Sequence, residues 1–388
     1  ILIGDINKMA KSSEFDLLVD MAIEDREWRR EERKKRQQEG ASIEQQYTAA
    51  IARAQKNFDI VRRKLDRDEE EGKPVNPDLL DRLTLRREQL EDIKKREEAE
   101  ISAKKEFKAE TETLESNSAT DYVDNLTQLS DSGFNPVFAV GFLMTDAVNE
   151  VAPQYPDVNY AIVDSVAEGD NVASLVFREQ EGSYLAGIVA GLMTQEDTEF
   201  TTPDDKVVGF LGGQESDLIG KFEAGYVAGV ESVCSDCEVK VQYAGSTPDA
   251  FNDPAKGKEI SLNMIEDGAD IIYHASGATG AGLFEAASEQ KIFAIGVDAD
   301  QGKLFPESPI LTSVVKRVDN AVFQTIEQAR DGKFPGGKVV EYGLDDGGLS
   351  LAPFGRFDGD VPQEVKDKVD EAKQGIIDGD VKVPDKPE

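Results

Sequence analysis

The residues best placed to do chemistry fall between 270 and 300, in the run DIIYHASGATGAGLFEAASEQKIFAIGVDAD. Gly277, Gly280 and Gly282 follow an apolar run from Ile271 to Ala275, and Asp298 closes a second apolar run, Ile292 to Val297. Glycine lets a backbone approach a bound molecule closely, and a carboxylate accepts hydrogen bonds from hydroxyl or amine donors. The glycine spacing is GxxGxG, not the GxGxxG that cradles a dinucleotide pyrophosphate, so phosphate binding is disfavoured. His274, the single histidine, lies inside the first apolar run. Any Ser–His–Asp or Cys–His set would have to form around it, and a satisfied strand histidine is the simpler reading. Cys234 and Cys237 have the spacing of a redox pair, half a zinc site or a local disulfide. The pair follows an expected helix, Phe222 to Val233, and precedes an expected strand, Glu238 to Tyr243. Redox pairs usually open a helix, so a structural disulfide in an oxidising compartment is favoured over inert thiols. No metal-ligand cluster stands out, no cofactor is expected, and the chain does not read as an enzyme.

These residues need elements to hold them. An apolar run, a glycine turn, a short helix (Leu283 to Gln290) and a second apolar run make a strand–turn–helix–strand unit, which implies a parallel sheet. In such sheets ligands sit outside the carboxyl ends of the strands, where the glycine turn and Asp298 both fall. The alternation extends over the chain after about residue 104. Expected strands are Thr111–Glu115, Val137–Phe142, Tyr160–Asp164, Val207–Leu211, Glu238–Tyr243, Ile271–Ala275, Phe293–Val297, Leu311–Val314 and Val339–Tyr342. Helices are expected between most of them, with a last helix over Pro362–Asp378 before a charged tail. The strand count suits two doubly wound sheets with a cleft between.

The front of the chain has another texture. Ile43, Tyr47, Ala50, Ala54, Phe58, Val61 and Leu65 recur at three- and four-residue steps, a narrow heptad-like seam. A break at Gly72–Pro77 precedes Leu79, Leu83, Leu90 and Ile93, which predicts an antiparallel helical hairpin. Residues 1–100 carry 22 basic and 25 acidic side chains, whereas the rest carries 22 and 53, for a net charge of −34 in 388 residues. This balance argues against nucleic acid as a partner, because phosphate binding needs cations. The acidity reads as a solubility coat, an exposed extracellular setting or adaptation to high salt. No apolar run approaches the ~20 residues of a membrane span. The first residues, ILIGDINKMA, carry no starting Met or secretion signal and leave the compartment open.

The chain from about Ala103 to Phe354 resembles the basic membrane protein family, the nucleoside-binding lipoproteins that serve ABC importers. The resemblance is carried by ordered stretches. They are Glu115–Leu126 (ESNSATDYVDNL), Val140–Met144 (VGFLM), Pro156–Asp164 (PDVNYAIVD), Phe177–Gly187 (FREQEGSYLAG), Gly209–Gly213 (GFLGG), Phe222–Gly229 (FEAGYVAG), Asp253–Lys258 (DPAKGK), the 270–300 unit, Ser313–Asp319 (SVVKRVD) and Gly343–Ala352 (GLDDGGLSLA). It implies a two-lobed type I periplasmic-binding-protein fold, here an α/β body preceded by the all-α helical hairpin or coiled coil. The implied division is a helical segment over 1–103, a first lobe over 104–195 plus 305–330, a second over 196–304 plus 331–360, and a C-terminal helix and tail over 361–388. The family's first strand and ligand-closing loop should lie just before residue 103, where the hairpin stands. Either Ile1–Ile6 supplies that strand, or the strand is replaced.

The resemblance also implies residue roles. Phe251 stacks on a base, Gly277 allows close approach, Asp298 makes polar contact and Lys316 reaches in from a returning strand. Asp164 accepts from ribose or base, and Phe142 and Met144 line the pocket. Read from local sequence alone, Phe251 could anchor its own loop, Asp298 could cap the next segment, and Lys316 could be a surface cation. The implied function is an extracytoplasmic, membrane-associated solute-binding protein that binds a purine nucleoside and delivers it to an ABC permease. A lipid anchor follows only if the native N-terminus carries one. The alternative is an interaction protein acting through the hairpin, with a non-binding α/β scaffold.

Overall fold

The chain divides into two units, Ile1–Ile101 and Ser102–Glu388. The computed structural model describes residues 111–116, 119–203 and 206–387, all in the second. The expected hairpin or coiled coil over 1–103, and the alternative strand at Ile1–Ile6, lie outside the described residues.

Two sheets organise the second unit. The first is four-stranded and parallel, in the order β1 (Val137–Val140), β2 (Tyr160–Val163), β3 (Val172–Phe177) and β9 (Val339–Tyr342). The second is six-stranded. It contains β4 (Val207–Gln214), β5 (Glu238–Gly245), β6 (Ala269–Ala275), β7 (Phe293–Asp298), β8 (Ile310–Lys316) and β10 (Leu349–Leu351), in the order β10-β8-β7-β6-β4-β5. β10 runs antiparallel to β8, and the remaining pairs are parallel. The central strands are buried along nearly their whole length, as parallel strands covered on both faces must be.

Helices α1 (Asp121–Asp131) and α2 (Thr145–Val151) cover one face of the first sheet, around Leu126, Val148, Val151 and Ile162. Helices α5 (Pro254–Glu266) and α6 (Gly280–Gln290) cover the outer face of the second, around Met264, Ile272 and Leu283. Between the sheets, α3 (Glu179–Met193) and α4 (Asp217–Val233) join one continuous core that includes Leu175, Phe177, Phe210, Tyr226 and Tyr273. Those two helices touch backbone to backbone: a Cβ on Gly187 would stand 2.9 Å from Gly229 Cα. α9 (Gln363–Asp378) lays Val365, Val369 and Ala372 into the same core, so the 361–388 segment is packed on the body for most of its length.

Among the described residues the chain crosses between the sheets three times: from β3 into α3 at 177–179, from β8 into α8 (Val318–Arg330) at 316–318, and from β9 to β10 at 342–349. The crossings are bonded to one another. Arg178 N donates to Tyr342 O at 2.8 Å and Arg317 N to Gly348 O at 2.8 Å. The Arg178 guanidinium bonds Glu181 at 2.6 Å and also Asp345.

Several expectations are corrected. Thr111–Glu115 forms no strand: with Leu114 its one apolar residue and both glutamates exposed, it has no face to bury. Val172–Phe177 is a strand that Ser174 concealed by interrupting the apolar run, and Leu349–Leu351 is too short to announce itself. Strand 310–316 belongs to the second sheet and 339–342 to the first, the reverse of the sequence-based division. The strand expected to end at Phe142 stops at Val140, and Phe142–Met144 turns in a short 3-10 helix.

Candidate ligand site between the lobes

The parallel strands of both lobes deliver side chains at their carboxyl ends, where a doubly wound sheet has unfilled space. From the first lobe, Asp164 directly follows the last residue of β2. From the second, β7 ends in Asp298. Both aspartates are left-handed, at φ 68° and 63°. Aspartate tolerates this conformation better than bulkier residues do, at a cost of roughly 1–2 kcal/mol. The same backbone twist in each lobe turns a carboxylate toward one cation. Lys316, the last residue of β8, places Nζ 2.8 Å from Asp164 Oδ2 and 3.6 Å from Asp298 Oδ1. Its side chain is only 7% exposed and lies over the rings of Phe177 and Phe222, at 5.5 and 5.9 Å. Lys316 is therefore no surface cation. Burial alone would lower its pKa, but Asp164, Asp298 and Glu179 together hold the ammonium well above its ordinary range.

Asp298 does not cap the following segment. Asp300 does that, its carboxylate accepting from Lys303 N at the start of α7 (Gln301–Leu304). Asp298 is left 52% exposed beside the ammonium. Asp164 Oδ1 is a buried acceptor to which no donor is directed among the described residues.

Aromatic rings of the two lobes meet near this cluster. Phe142, in the turn after β1, and Phe251, in the 3-10 turn Pro248–Phe251 after β5, meet edge to face with centroids 5.9 Å apart. Two glycines make room for Phe251. A Cβ on Gly213 would overlap its ring, and one on Gly277, itself at φ 55°, would stand 3.1 Å from its carbonyl oxygen. Phe251 also packs against the core, so it anchors its loop and presents an edge to Phe142. Met144 is set apart from this group and packs on the first lobe's outer core.

His274 organises the floor of the second lobe. It is fully buried, with Nε2 2.9 Å from Gln301 Oε1 and Nδ1 3.2 Å from Ser276 Oγ. Gln301 Oε1 also accepts from Val297 N at 2.8 Å, which assigns the proton to Nε2. Burial pushes its pKa down to about 4, so it is neutral at physiological pH. The imidazole fills the space over Gly280, where a Cβ would overlap it, and so holds the glycine turn.

Sequence reasoning missed Glu179 and Lys221. Glu179 opens α3, directly after the crossing from β3. Its side chain is fully buried, with Oε2 3.4 Å from Lys221 Nζ. A glutamate opening a helix that is apolar nearly all round was the available signal. Cys234 and Cys237 pair in the structure with Cα atoms 5.3 Å apart, tying the end of α4 to the start of β5. Among the described residues no cluster of metal ligands occurs, and no helix is long and apolar enough to cross a membrane. A cavity of about 560 Å³ elsewhere, between α3, α4 and α9, is lined by Leu192, Val233, Glu364 and Lys368 and brings none of these groups together.

Two α/β lobes joined by three crossings, with carboxylates, a lysine and aromatic rings of both meeting at strand ends, define the periplasmic-binding-protein class of solute receptors. The family described as Bmp, ABC transporter substrate-binding protein PnrA-like, matches residues 93–386, and the chain belongs to it. The chain is 40% identical over 290 residues to a CD4+ T-cell-stimulating antigen of Listeria monocytogenes, covering 71% of this chain and 77% of that protein. It is 39% identical to the ABC transporter nucleoside-binding protein BmpA of Lactococcus lactis, over 70% and 78% of the two. A crystal structure of an ABC transporter solute-binding protein from Aeropyrum pernix superposes with TM-score 0.63 at 29% identity, covering 74% of this chain and 87% of that one. The family is one of non-catalytic, extracytoplasmic binding proteins that work with a small solute and a transporter permease.

Proposed function

We propose that the chain binds a nucleoside, with purines preferred, between its lobes and presents it to an ABC permease. The observation that carries this reading is the pairing of Asp164 and Asp298, from opposite lobes, on the buried Lys316, beside the rings of Phe142 and Phe251, which meet edge to face. A nucleoside has a flat, weakly polar base and a ribose that donates hydroxyl protons. It needs an aromatic face and ionised acceptors, and no net countercharge. The relative from Lactococcus lactis, named as nucleoside-binding, supports the same ligand class. Because the contacts come from both lobes, the ligand stabilises the closed arrangement over the open one, and closure on the hinge is the form a permease would recognise.

Calorimetric titration of adenosine, guanosine, inosine and uridine, with ribose and other sugars as controls, tests it. Submicromolar binding of a purine nucleoside is expected. Asp298→Ala should weaken it about 10- to 100-fold, the loss of a charge-assisted hydrogen bond. A folded chain that gives no heat with any nucleoside, or binds a sugar instead, would overturn the assignment.

A further inference from the structure

We propose that Glu179 is a positioning residue for the Lys316 link between the lobes, and that cleft closure takes up a proton on its carboxyl group. Lys316 stands on the second sheet and Asp164 directly after β2 of the first, so this ion pair joins the two lobes. Any charge acting on Lys316 therefore acts on closure.

Glu179 is such a charge. It is the first residue of α3, just past the first crossing, and its side chain is completely buried. Among the described residues no donor is directed at one carboxylate oxygen, Oε1, while Oε2 lies 3.4 Å from Lys221 Nζ. Lys221 Nζ also donates to Phe177 O at 3.1 Å, which fixes it at the crossing. Among the described residues the charged and titratable groups facing Glu179 are Lys316 on β8, Lys221 on α4, Asp164 just after β2 and Tyr273 on β6. Burial raises the Glu179 pKa to about 7, against the lowering pull of Lys316 and then Lys221, and Asp164 raises it further. The group is divided between its two forms near neutrality.

The linkage follows from which lobe carries each group. Glu179, Lys221 and Lys316 belong to the second lobe, whereas Asp164 travels with the first. Opening withdraws a negative neighbour and admits water, and both changes favour the ionised carboxylate. Closing does the reverse. The closed form thus binds the proton more tightly, and by reciprocity the proton favours the closed form. The protonated carboxyl no longer competes for Lys316, which is left to Asp164 and Asp298. A one-unit difference in proton affinity between the forms is about tenfold in the closure equilibrium.

The effect on affinity rests on the nucleoside reading above, whereas the effect on closure does not, and the test separates them. The full 388-residue chain is labelled with a dye pair at Glu150→Cys on α2 and Glu266→Cys on α5, and energy transfer is followed without ligand from about pH 5.5 to about pH 8.5. The closed fraction should fall as pH rises through the neutral range, with the closure equilibrium changing up to about tenfold. Glu179→Gln should stay at the closed limit with no pH response in that range. Lys221→Met, which removes a cation that favours the ionised form, should move the transition to higher pH. A transition that persists unchanged in Glu179→Gln, or no transition in the parent chain, overturns the proposal. Nucleoside Kd should follow the same profile and flatten in Glu179→Gln. Closure that responds to pH in a chain binding no nucleoside would support the proton link and sink the ligand assignment.

Discussion

His274 shows how one residue ties site geometry to stability. It is buried neutral, and its pKa falls from 6.5 in the exposed state to about 4 when folded. The unfolded chain therefore binds more protons than the folded one between these values. The stability this burial allows is complete above pH 6.5 and is lost as pH falls toward 4. Lowering the pH from about 7.5 to about 5 should cost about 2 kcal/mol through this residue. Urea unfolding of the parent chain and of His274→Asn at both pH values checks it. The parent should show the steeper loss, since Glu179 and the surface carboxylates contribute alike to both proteins. Equal slopes would mean that the imidazole is not held neutral. The placement of His274 inside a strand was legible from its apolar neighbours, and so were the glycine turn and Asp298 at their strand ends. The pairing of Asp298 with Lys316 could not be read from local sequence, because it depends on two strands meeting side by side and on a left-handed backbone at residue 298. Glu179 was hidden for a related reason: nothing local distinguishes a buried glutamate from a solvated one when its countercharges come from residues 221 and 316.

At the scale of elements, boundaries and partners were harder to read than the elements themselves. α4 and α5 are capped by Ser216 and Asp253, whose side chains accept from the backbone N–H three residues on, a local signal that the expected start at Phe222 passed over. Strands carry no such local mark, and the sheet to which β8 or β9 belongs is decided by crossings that sequence alternation does not record. The close contact of α3 and α4 was partly visible as recurrent glycines in FREQEGSYLAG and FEAGYVAG. Their meaning is steric. A methyl group on Gly187 would stand 2.8 Å from Val230 N and 2.9 Å from Gly229 Cα, with backbone on the far side that cannot rotate away. Gly187→Ala should therefore destabilise the protein by about 1–3 kcal/mol, although alanine is the better helix former. Chemical denaturation measures this directly. A neutral or stabilising result would show that the helices can separate without loss. Because α3 begins at the first crossing, the same variant should also weaken ligand capture by shifting Glu179 and the start of the helix.

For the whole molecule the dominant quantity is charge. The chain carries 78 acidic and 44 basic residues, with most of the excess after residue 100. Individual surface ion pairs such as Lys291–Glu199, both side chains about two-thirds exposed, do little to offset it. The larger effect is collective, because like charges held at folded-state spacing repel one another more than they do in an expanded chain. Salt acts on that repulsion through the screening length, about 10 Å at 0.1 M and about 3 Å at 1 M. The thermal midpoint should therefore rise steadily from low salt to molar sodium chloride. The same addition should leave nucleoside affinity nearly unchanged, since Lys316 is 7% exposed and its contact with Asp164 at 2.8 Å is shielded from mobile ions. Calorimetric scans and titrations over one salt series give both numbers. A midpoint that stays flat would mean that the acidic coat is neutral toward folding and serves solubility alone. A falling affinity beside a rising midpoint would place the Asp164–Lys316 link in solvent and remove the basis for treating it as the closure of the cleft.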